Sequence, residues 1–377
     1  FVVASHVPMI HIVHVLTRTN VGGPSVMLVD LVEGLDRQQF RQTIIRGPGV
    51  ASEGDYLAQR SVSADVITLG GLRRSLGVVR EVQSLWTLTR TLRRLAPDVV
   101  HTHMAKAGVV GRVAAVLARV PYRIHTFHGH LLHGYFPAPV AKFFVVVERI
   151  LRRFTTFALV VGESTRRDLL AARIVTQARS SVVYPGVRDI TPTPQPQSRV
   201  QLGLPTEGQM VGFVGRLTDI KRPDRFLELA RAIPDAHFAL IGNGPLRAQI
   251  HAQAATLPNV TLVDFTSDLG VVFGALDLVV LTSDNEGVPL SLMEAASARV
   301  PVVALNVGGV SEIIEHEVTG LLVERDVDLV GSVQRLLNDS PLRSRLATQA
   351  HAHIERRCSM ATYLHQHAQL YRECSNE

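Results

Sequence analysis

Asp284-Asn-Glu286-Gly287-Val288-Pro289-Leu290-Ser-Leu-Met-Glu294-Ala-Ala sets one glutamate in a Gly/Pro loop and a second one eight positions later. The run before it, Leu278-Val-Val-Leu-Thr-Ser, predicts a buried strand. Leu290 to Ala298 predicts a helix, and Pro301-Val-Val-Ala-Leu opens the next strand. Such an order belongs to a parallel sheet with helical crossovers, and it places Glu286 at the carboxyl edge of a strand, where open α/β sheets bind ligands. The amides around Gly287, Val288, Leu290 and Ser291 open the helix and carry partial positive charge suited to a phosphate. Glu294 lies one turn deeper and offers its carboxylate to hydroxyls such as those of a ribose. Two carboxylates around an anion-binding helix start suit a nucleotide that carries a sugar. A lone Glu-x7-Glu is common by chance, so its neighbours decide.

Upstream, Val211-Gly-Phe-Val-Gly215-Arg216-Leu-Thr-Asp-Ile-Lys221-Arg-Pro reads as an apolar strand, a turn bearing two cations, and a helix from Pro223. Lys221 is one of only three lysines, with Lys106 and Lys142, against 36 arginines. Where arginine is the default cation, a lysine marks a place suited to a compact ammonium, such as a phosphate oxygen. Phe238-Ala-Leu-Ile-Gly242-Asn-Gly244-Pro is a further strand ending in a glycine turn. Alone, that turn is a weak signal.

Together these pieces resemble the family 4 retaining glycosyltransferases. The resemblance runs through Val214-Gly-Arg-Leu…Lys221, Gly242-Asn-Gly-Pro, Glu286-x7-Glu294, Pro301-Val-Val-Ala…Gly308-Gly-Val-Ser-Glu-Ile-Ile and Thr319-Gly-Leu-Leu-Val. It implies an α/β fold of GT-B architecture, with two Rossmann-like domains facing across a cleft. It implies that Arg216 and Lys221 hold the donor diphosphate, that Glu286 contacts the donor-sugar hydroxyls and that Glu294 contacts the ribose. The expected donor-binding set is Gly22, Gly23, Arg216, Lys221, Gly242, Gly287, Val288, Pro289, Leu290 and Glu294. The expected catalytic pair is His128 and Glu286. Retention of anomeric configuration is implied too, and UDP is the favoured donor nucleotide by family analogy alone.

The amino-terminal half opens with the strand Met9-Ile-His-Ile-Val-His-Val-Leu, then Asn20-Val-Gly22-Gly23-Pro24 and a helix with apolar spacing from Val26 to Leu35. The double glycine permits close backbone approach to a phosphate or sugar. It lacks Gly-x-Gly-x-x-Gly, which disfavours a dinucleotide site. In family 4 a similar loop lies against the donor diphosphate and the acceptor. Histidines cluster at 101 and 103 and again at 125, 128, 130 and 133. Zinc is disfavoured by the lack of cysteine or carboxylate nearby. The strand alternation is taken to turn His101 and His103 to opposite faces, and most of these histidines are expected at strand ends. Arg123-Ile-His-Thr-Phe-His128-Gly-His130 resembles the family segment whose histidine touches the donor sugar, with His128 preferred and His130 the alternative. Arg73, Lys106, His130 and Tyr135 are the candidate acceptor contacts.

A chain of 377 residues suits two domains. The expected bounds are an acceptor-binding domain over 1–188, a nucleotide-sugar-binding domain over 189–360, and a helix over 361–377 returning to the first. The proline-rich Asp189-Ile-Thr-Pro-Thr-Pro-Gln-Pro-Gln-Ser is the expected linker. Residues 1–189 hold 24 Lys/Arg against 12 Asp/Glu, whereas the remainder holds 15 against 21. A basic first domain suits an anionic acceptor or an anionic membrane surface. Nucleic acid is disfavoured, because the basic residues lack aromatic partners for stacking. Two cysteines exclude a disulfide framework and accord with a cytoplasmic location, peripheral to the inner membrane face if the basic domain binds lipid. No Asp-x-Asp metal site is convincing, since Asp326-Val-Asp328 is expected away from the donor pocket. No cofactor or metal is therefore expected, and protein cations take the metal's place. The competing functions are a nucleotide-sugar epimerase of the same architecture and a non-catalytic nucleotide-sugar or polyanion-binding protein.

Overall fold

Continuous apolar runs flanked by amphipathic helices give strands buried on both faces, the signature of parallel sheets under helical crossovers. The computed structural model describes residues 9–20, 22–49, 55–57, 62–73, 77–129 and 138–376. The chain divides into two units, one of Phe1–Gly186 with Ala361–Glu377 and the other of Val187–Met360.

Unit 1 contains β1 (Ile10–Leu16), α1 (Gly23–Gly34), β2 (Phe40–Arg46), β3 (Asp65–Thr68), α2 (Val78–Leu95), β4 (Val99–His103), α3 (Ala105–Leu117), β5 (Tyr122–Phe127), α4 (Ala138–Leu151), β6 (Phe157–Val160), α5 (Glu163–Ala171) and β7 (Ser180–Val182). Its sheet is parallel with the order β3-β2-β1-β4-β5-β6-β7. Unit 2 contains α6 (Gln195–Leu202), β8 (Met210–Val214), α7 (Pro223–Ala232), β9 (His237–Ile241), α8 (Arg247–Ala254), β10 (Val260–Val263), α9 (Leu269–Gly274), β11 (Leu278–Leu281), α10 (Leu290–Ser297), β12 (Val302–Leu305), β13 (Leu321–Val323), α11 (Leu329–Asn338) and α12 (Ser340–Cys358). Its parallel order is β10-β9-β8-β11-β12-β13. The last helix, α13 (Met360–Asn376), packs on unit 1, where the Tyr363 hydroxyl donates to the Met27 carbonyl at 3.2 Å.

In unit 2 the core closes on Phe213, Phe226 and Phe238, with ring centroids 5.7 and 5.3 Å apart. The proline-rich stretch is not a free linker. Pro194 caps α6, and Pro196 sits in its first turn, where a missing N–H costs nothing. Ser297 Oγ donates to the Arg188 carbonyl at 2.8 Å and accepts from the Ile190 amide at 3.2 Å. Arg199, almost wholly buried, pairs with Asp277 at 2.9 Å. Proline composition alone reads as a spacer, yet here the prolines start a packed helix.

Candidate functional site

At the carboxyl edge of the unit 2 sheet, β11 ends in buried Thr282 and Ser283. Thr282 Oγ1 donates toward the carbonyls of Lys221 and Arg222, each at 2.9 Å, and the Asp284 amide donates to the Ile220 carbonyl at 2.9 Å. These bonds strap the single 3₁₀ turn Asp219–Lys221 onto the loop before α10. Lys221 Nζ then lies 2.5 Å from Glu286 Oε1, which also accepts from Ser283 Oγ at 2.5 Å. The Glu286 side chain is 9% exposed and that of Lys221 20%. The two residues expected to serve sugar and phosphate separately thus form one ion pair.

Beside this pair, α10 begins after Pro289 without a side-chain cap. The carbonyl of Pro289 accepts from Leu292 and Met293. Among the described residues, the amides of Gly287, Val288, Leu290 and Ser291 have no backbone partner. Open amides at a helix start form an anion site. Glu294 lies half-buried in the first turns of α10. Arg216 is exposed, with no side-chain partner among the described residues, and its guanidinium remains available to a ligand.

The glycines around the site serve close packing of its loops. A Cβ on Gly242, at φ +146°, would lie 2.0 Å from the Gly215 carbonyl oxygen, and one on Gly244 would lie 2.4 Å from that of Leu217. The turn expected to bind donor through Gly242 thus also braces the Gly215–Leu217 backbone, with Leu217 N donating to the Asn243 carbonyl at 3.0 Å. Likewise a Cβ on Gly308, at φ +56°, or on Gly309 would lie 2.0 Å from the Glu286 and 1.9 Å from the Gly287 carbonyl oxygen, respectively. Only glycine tolerates either approach.

An arginine network borders the loop. Arg225 pairs with Asp284 at 2.5 Å and with Asp326 at 3.4 Å, while Arg222 pairs with Asp224 at 2.7 Å. Hydrogen bonding to Asp224, with Asp284 nearby, raises the Arg222 pKa. Asp326 is therefore joined to Asp284 through Arg225. Asp328 is matched by Arg325 at 3.0 Å.

In unit 1, His101 and His103 share a face of β4, contrary to expectation, because residues two apart on a strand point the same way. Their rings are 4.2 Å apart. Both are buried, His103 at the end of β4 as expected and His101 against His367 and Tyr371 of α13. His101 Nδ1 meets the Tyr371 hydroxyl at 2.6 Å, and its Nε2 meets Thr126 Oγ1 at 2.7 Å. His14 of β1 pairs in register with His101, and its Nδ1 lies 3.3 Å from His103 Nε2. His103 Nδ1 lies 3.1 Å from His128 Nε2. His125 turns to the other face, where its ring lies against Gly108 of α3. Burial pushes the pKa of His14, His128 and His367 down to about 4, and those of His101, His103 and His125 well below the usual value. His14, His101 and His103 bring nitrogens within 4.8 Å of one another, near enough to share a cation. All six of their ring nitrogens nevertheless have a hydrogen-bond partner.

The remaining expected residues fall as follows. Gly22 caps α1, and a Cβ on Gly23 would meet nothing within 4 Å, so packing within the chain does not require that glycine. Lys106 is tied to Glu81 at 2.6 Å and to the Arg73 carbonyl, so it joins α3 to α2 and is not a free cation. Arg73 is exposed. His130 and Tyr135 lie outside the described residues. Ser283, His14 and Gln42 were not singled out by the sequence, and Gly308 stood there only as part of a family motif. The period-two spacing of His101 and His103 was the available signal for the histidine cluster.

Two family models match consecutive parts of the chain, "Glycosyl transferase 4-like domain" over residues 22–186 and "Glycosyl transferases group 1" over residues 194–353. The chain belongs to the family 4 glycosyltransferases. This glycosyltransferase is 28% identical over 352 residues to the UDP-Gal:alpha-D-GlcNAc-diphosphoundecaprenol alpha-1,3-galactosyltransferase of Escherichia coli, covering 88% of this chain and 89% of that protein. It is 32% identical over 277 residues to a D-inositol 3-phosphate glycosyltransferase of Mycobacterium sp. (strain JLS), covering 68% of this chain and 62% of the relative. Its fold matches that of HepE from Anabaena, solved in complex with UDP and glucose, with a TM-score of 0.83 at 22% identity over 97% of this chain and 100% of that one. Sucrose-phosphate synthase from Thermosynechococcus elongatus gives 0.80 at 20% identity over 97% and 98%.

Proposed function

We propose that this glycosyltransferase moves a hexose or N-acetylhexosamine from a UDP-sugar to an acceptor hydroxyl, with retention and without a metal. The observation that carries the proposal is that the Lys221–Glu286 pair, exposed Arg216 and the open amides of Gly287, Val288, Leu290 and Ser291 all stand at the carboxyl edge of one sheet. Two cations and a helix start can neutralise a departing nucleoside diphosphate, the stabilisation that a metal otherwise supplies. Glu294 then serves the ribose and Glu286 the sugar hydroxyls. In the front-face reaction that retention calls for, the sugar–phosphate bond breaks as the acceptor oxygen attacks from the same side. The leaving phosphate oxygen takes the acceptor's proton, so no side-chain base is required. UDP as nucleotide is supported by the E. coli relative's named donor and by the HepE complexes.

The diphosphoundecaprenol substrate of the E. coli relative favours a lipid-linked or otherwise anionic acceptor and an anionic membrane surface. Two helix faces support the membrane assignment. On α2, Val79, Val82 and Trp86 are exposed beside Arg80 and Arg90; on α4, Val140, Phe143, Val146 and Ile150 are exposed beside Lys142 and Arg149. Such basic-flanked apolar stripes suit an interfacial helix. Among the described residues no helix is long and apolar enough to cross a membrane.

The test is donor turnover. UDP-glucose, UDP-galactose and their N-acetyl analogues are each incubated with the protein, with and without a sugar-diphosphate-polyprenol acceptor, in EDTA. Acceptor-dependent UDP release and an α-linked product from an α-donor are expected. Epimerised donor without acceptor, or activity that EDTA abolishes and manganese restores, contradicts the proposal.

A further inference from the structure

His128 ends a chain of hydrogen bonds whose direction is fixed from its far end. Gln42 Nε2 donates to the Val32 carbonyl at 2.9 Å, and a carbonyl can only accept, so the amide has one orientation. Gln42 Oε1 therefore faces His14 Nε2 at 3.1 Å and can only accept. The proton of His14 must sit on Nε2. A neutral imidazole with one proton then presents Nδ1 as a lone pair. That lone pair accepts from His103 Nε2 at 3.3 Å, which leaves His103 Nδ1 as acceptor for His128 Nε2 at 3.1 Å. The burial that holds these rings neutral permits no second proton to break the sequence. At the end of the chain, His128 Nδ1 is shut off from solvent and has no partner among the described residues. An unsatisfied buried acceptor costs free energy that a ligand donor recovers.

We infer that Gln42, His14 and His103 are positioning residues that hold His128 in its Nε2–H tautomer, so that Nδ1 accepts a hydrogen bond from a hydroxyl or amide N–H of the donor sugar. This rests on the reading of the chain as a sugar-nucleotide transferase with His128 against the sugar. It makes His128 a selector. A group that only accepts, such as a carboxylate or phosphate oxygen, meets a lone pair and is refused, whereas an O–H is taken. It also excludes His128 as a proton donor in the ligand-free ground state.

Long-range ¹H–¹⁵N NMR of the full-length protein labelled at histidine nitrogens reads the tautomers directly at pH 7. Wild type should show His14, His103 and His128 each protonated on Nε2 alone. The Gln42 oxygen is the acceptor that sets this pattern. Gln42→Leu removes it and should give mixed tautomers at His128, with donor KM for UDP-glucose or UDP-galactose, whichever is turned over, raised about tenfold, the size of one hydrogen bond. The Kd for UDP, which has no sugar, should stay unchanged. If Gln42→Leu does not fold, His14→Phe breaks the same chain. A proton on His128 Nδ1, a charged His128, nitrogens of His14 and His103 shifted by a bound metal, or a tautomer pattern untouched by breaking the chain each overturns the inference. Should UDP fail to bind wild type, the functional reading falls, and the tautomer spectrum still decides the relay.

Discussion

Lys221 and Glu286 meet where a diphosphate and a sugar would each need one of them, so removing the lysine also strips the sugar-facing carboxylate of its charge partner. Among the described residues, Lys221→Ala leaves a nearly buried carboxylate with only the Ser283 hydroxyl as side-chain partner. Turnover should fall on the order of a hundredfold or more through lost charge stabilisation, and stability should fall by ~1–3 kcal/mol from the unsatisfied carboxylate. Arg216→Ala should depress turnover comparably while thermal unfolding stays within about 0.5 kcal/mol of wild type, because the side chain is exposed and unpartnered. Kinetics beside thermal denaturation check this, and near wild-type turnover in both variants would sink the clamp. The glutamates and cations were legible because strand-edge position follows from the strand-loop-helix pattern. Their pairing was not, because it depends on Thr282 and Asp284 strapping the 3₁₀ turn to the loop, contacts about sixty residues apart in sequence.

At the scale of elements, the exposed faces of α2 and α4 make a prediction about lipid. The exposure of Phe143 (64%) and Trp86 (63%) is large for aromatic groups flanked by cations. Co-sedimentation with vesicles rich in phosphatidylglycerol should exceed that with phosphatidylcholine alone, and Phe143→Asp with Ile150→Asp should reduce it by about tenfold or more. Equal binding to both vesicle types would contradict the assignment. The α4 patch could be picked out from its sequence run, since Phe143 to Phe154 sets Arg149, Arg152 and Arg153 among apolar residues. The α13 packing against the histidines was not legible in detail. The Tyr371–His101 contact joins residues 270 apart, and no local pattern encodes it. Strand order within each sheet is likewise set by pairing, as when β1 takes β4 as its neighbour across two intervening strands.

For the molecule as a whole, unit 1 holds His14, His101, His103, His125, His128 and His367 neutral in its core, and this shapes how stability responds to acid. The unfolded chain takes up protons on histidine below about pH 6.5, whereas the folded state refuses them until about pH 4 at His14, His128 and His367. The contribution is therefore complete above pH 6.5 and lost as the pH falls toward 4, at up to ~1.4 kcal/mol per pH unit for each ring. Scanning calorimetry from pH 8 to 4.5 should show Tm steady at the alkaline end and dropping below about 6.5. A Tm indifferent to pH across that window would mean that the rings are not buried as described.

The central claim, that the carboxyl edge of the unit 2 sheet binds a nucleoside diphosphate through its cations, its helix start and Glu294, is tested most directly by calorimetric titration of UDP into the full-length protein and its Glu294→Gln and Glu286→Gln variants. Glu294→Gln should weaken UDP by about tenfold or more, equivalent to ~1.4 kcal/mol. Glu286→Gln should leave UDP affinity within about threefold of wild type while turnover falls, since its partner is the transferred sugar. Unchanged affinity in Glu294→Gln together with lost UDP binding in Glu286→Gln would contradict the orientation of the site.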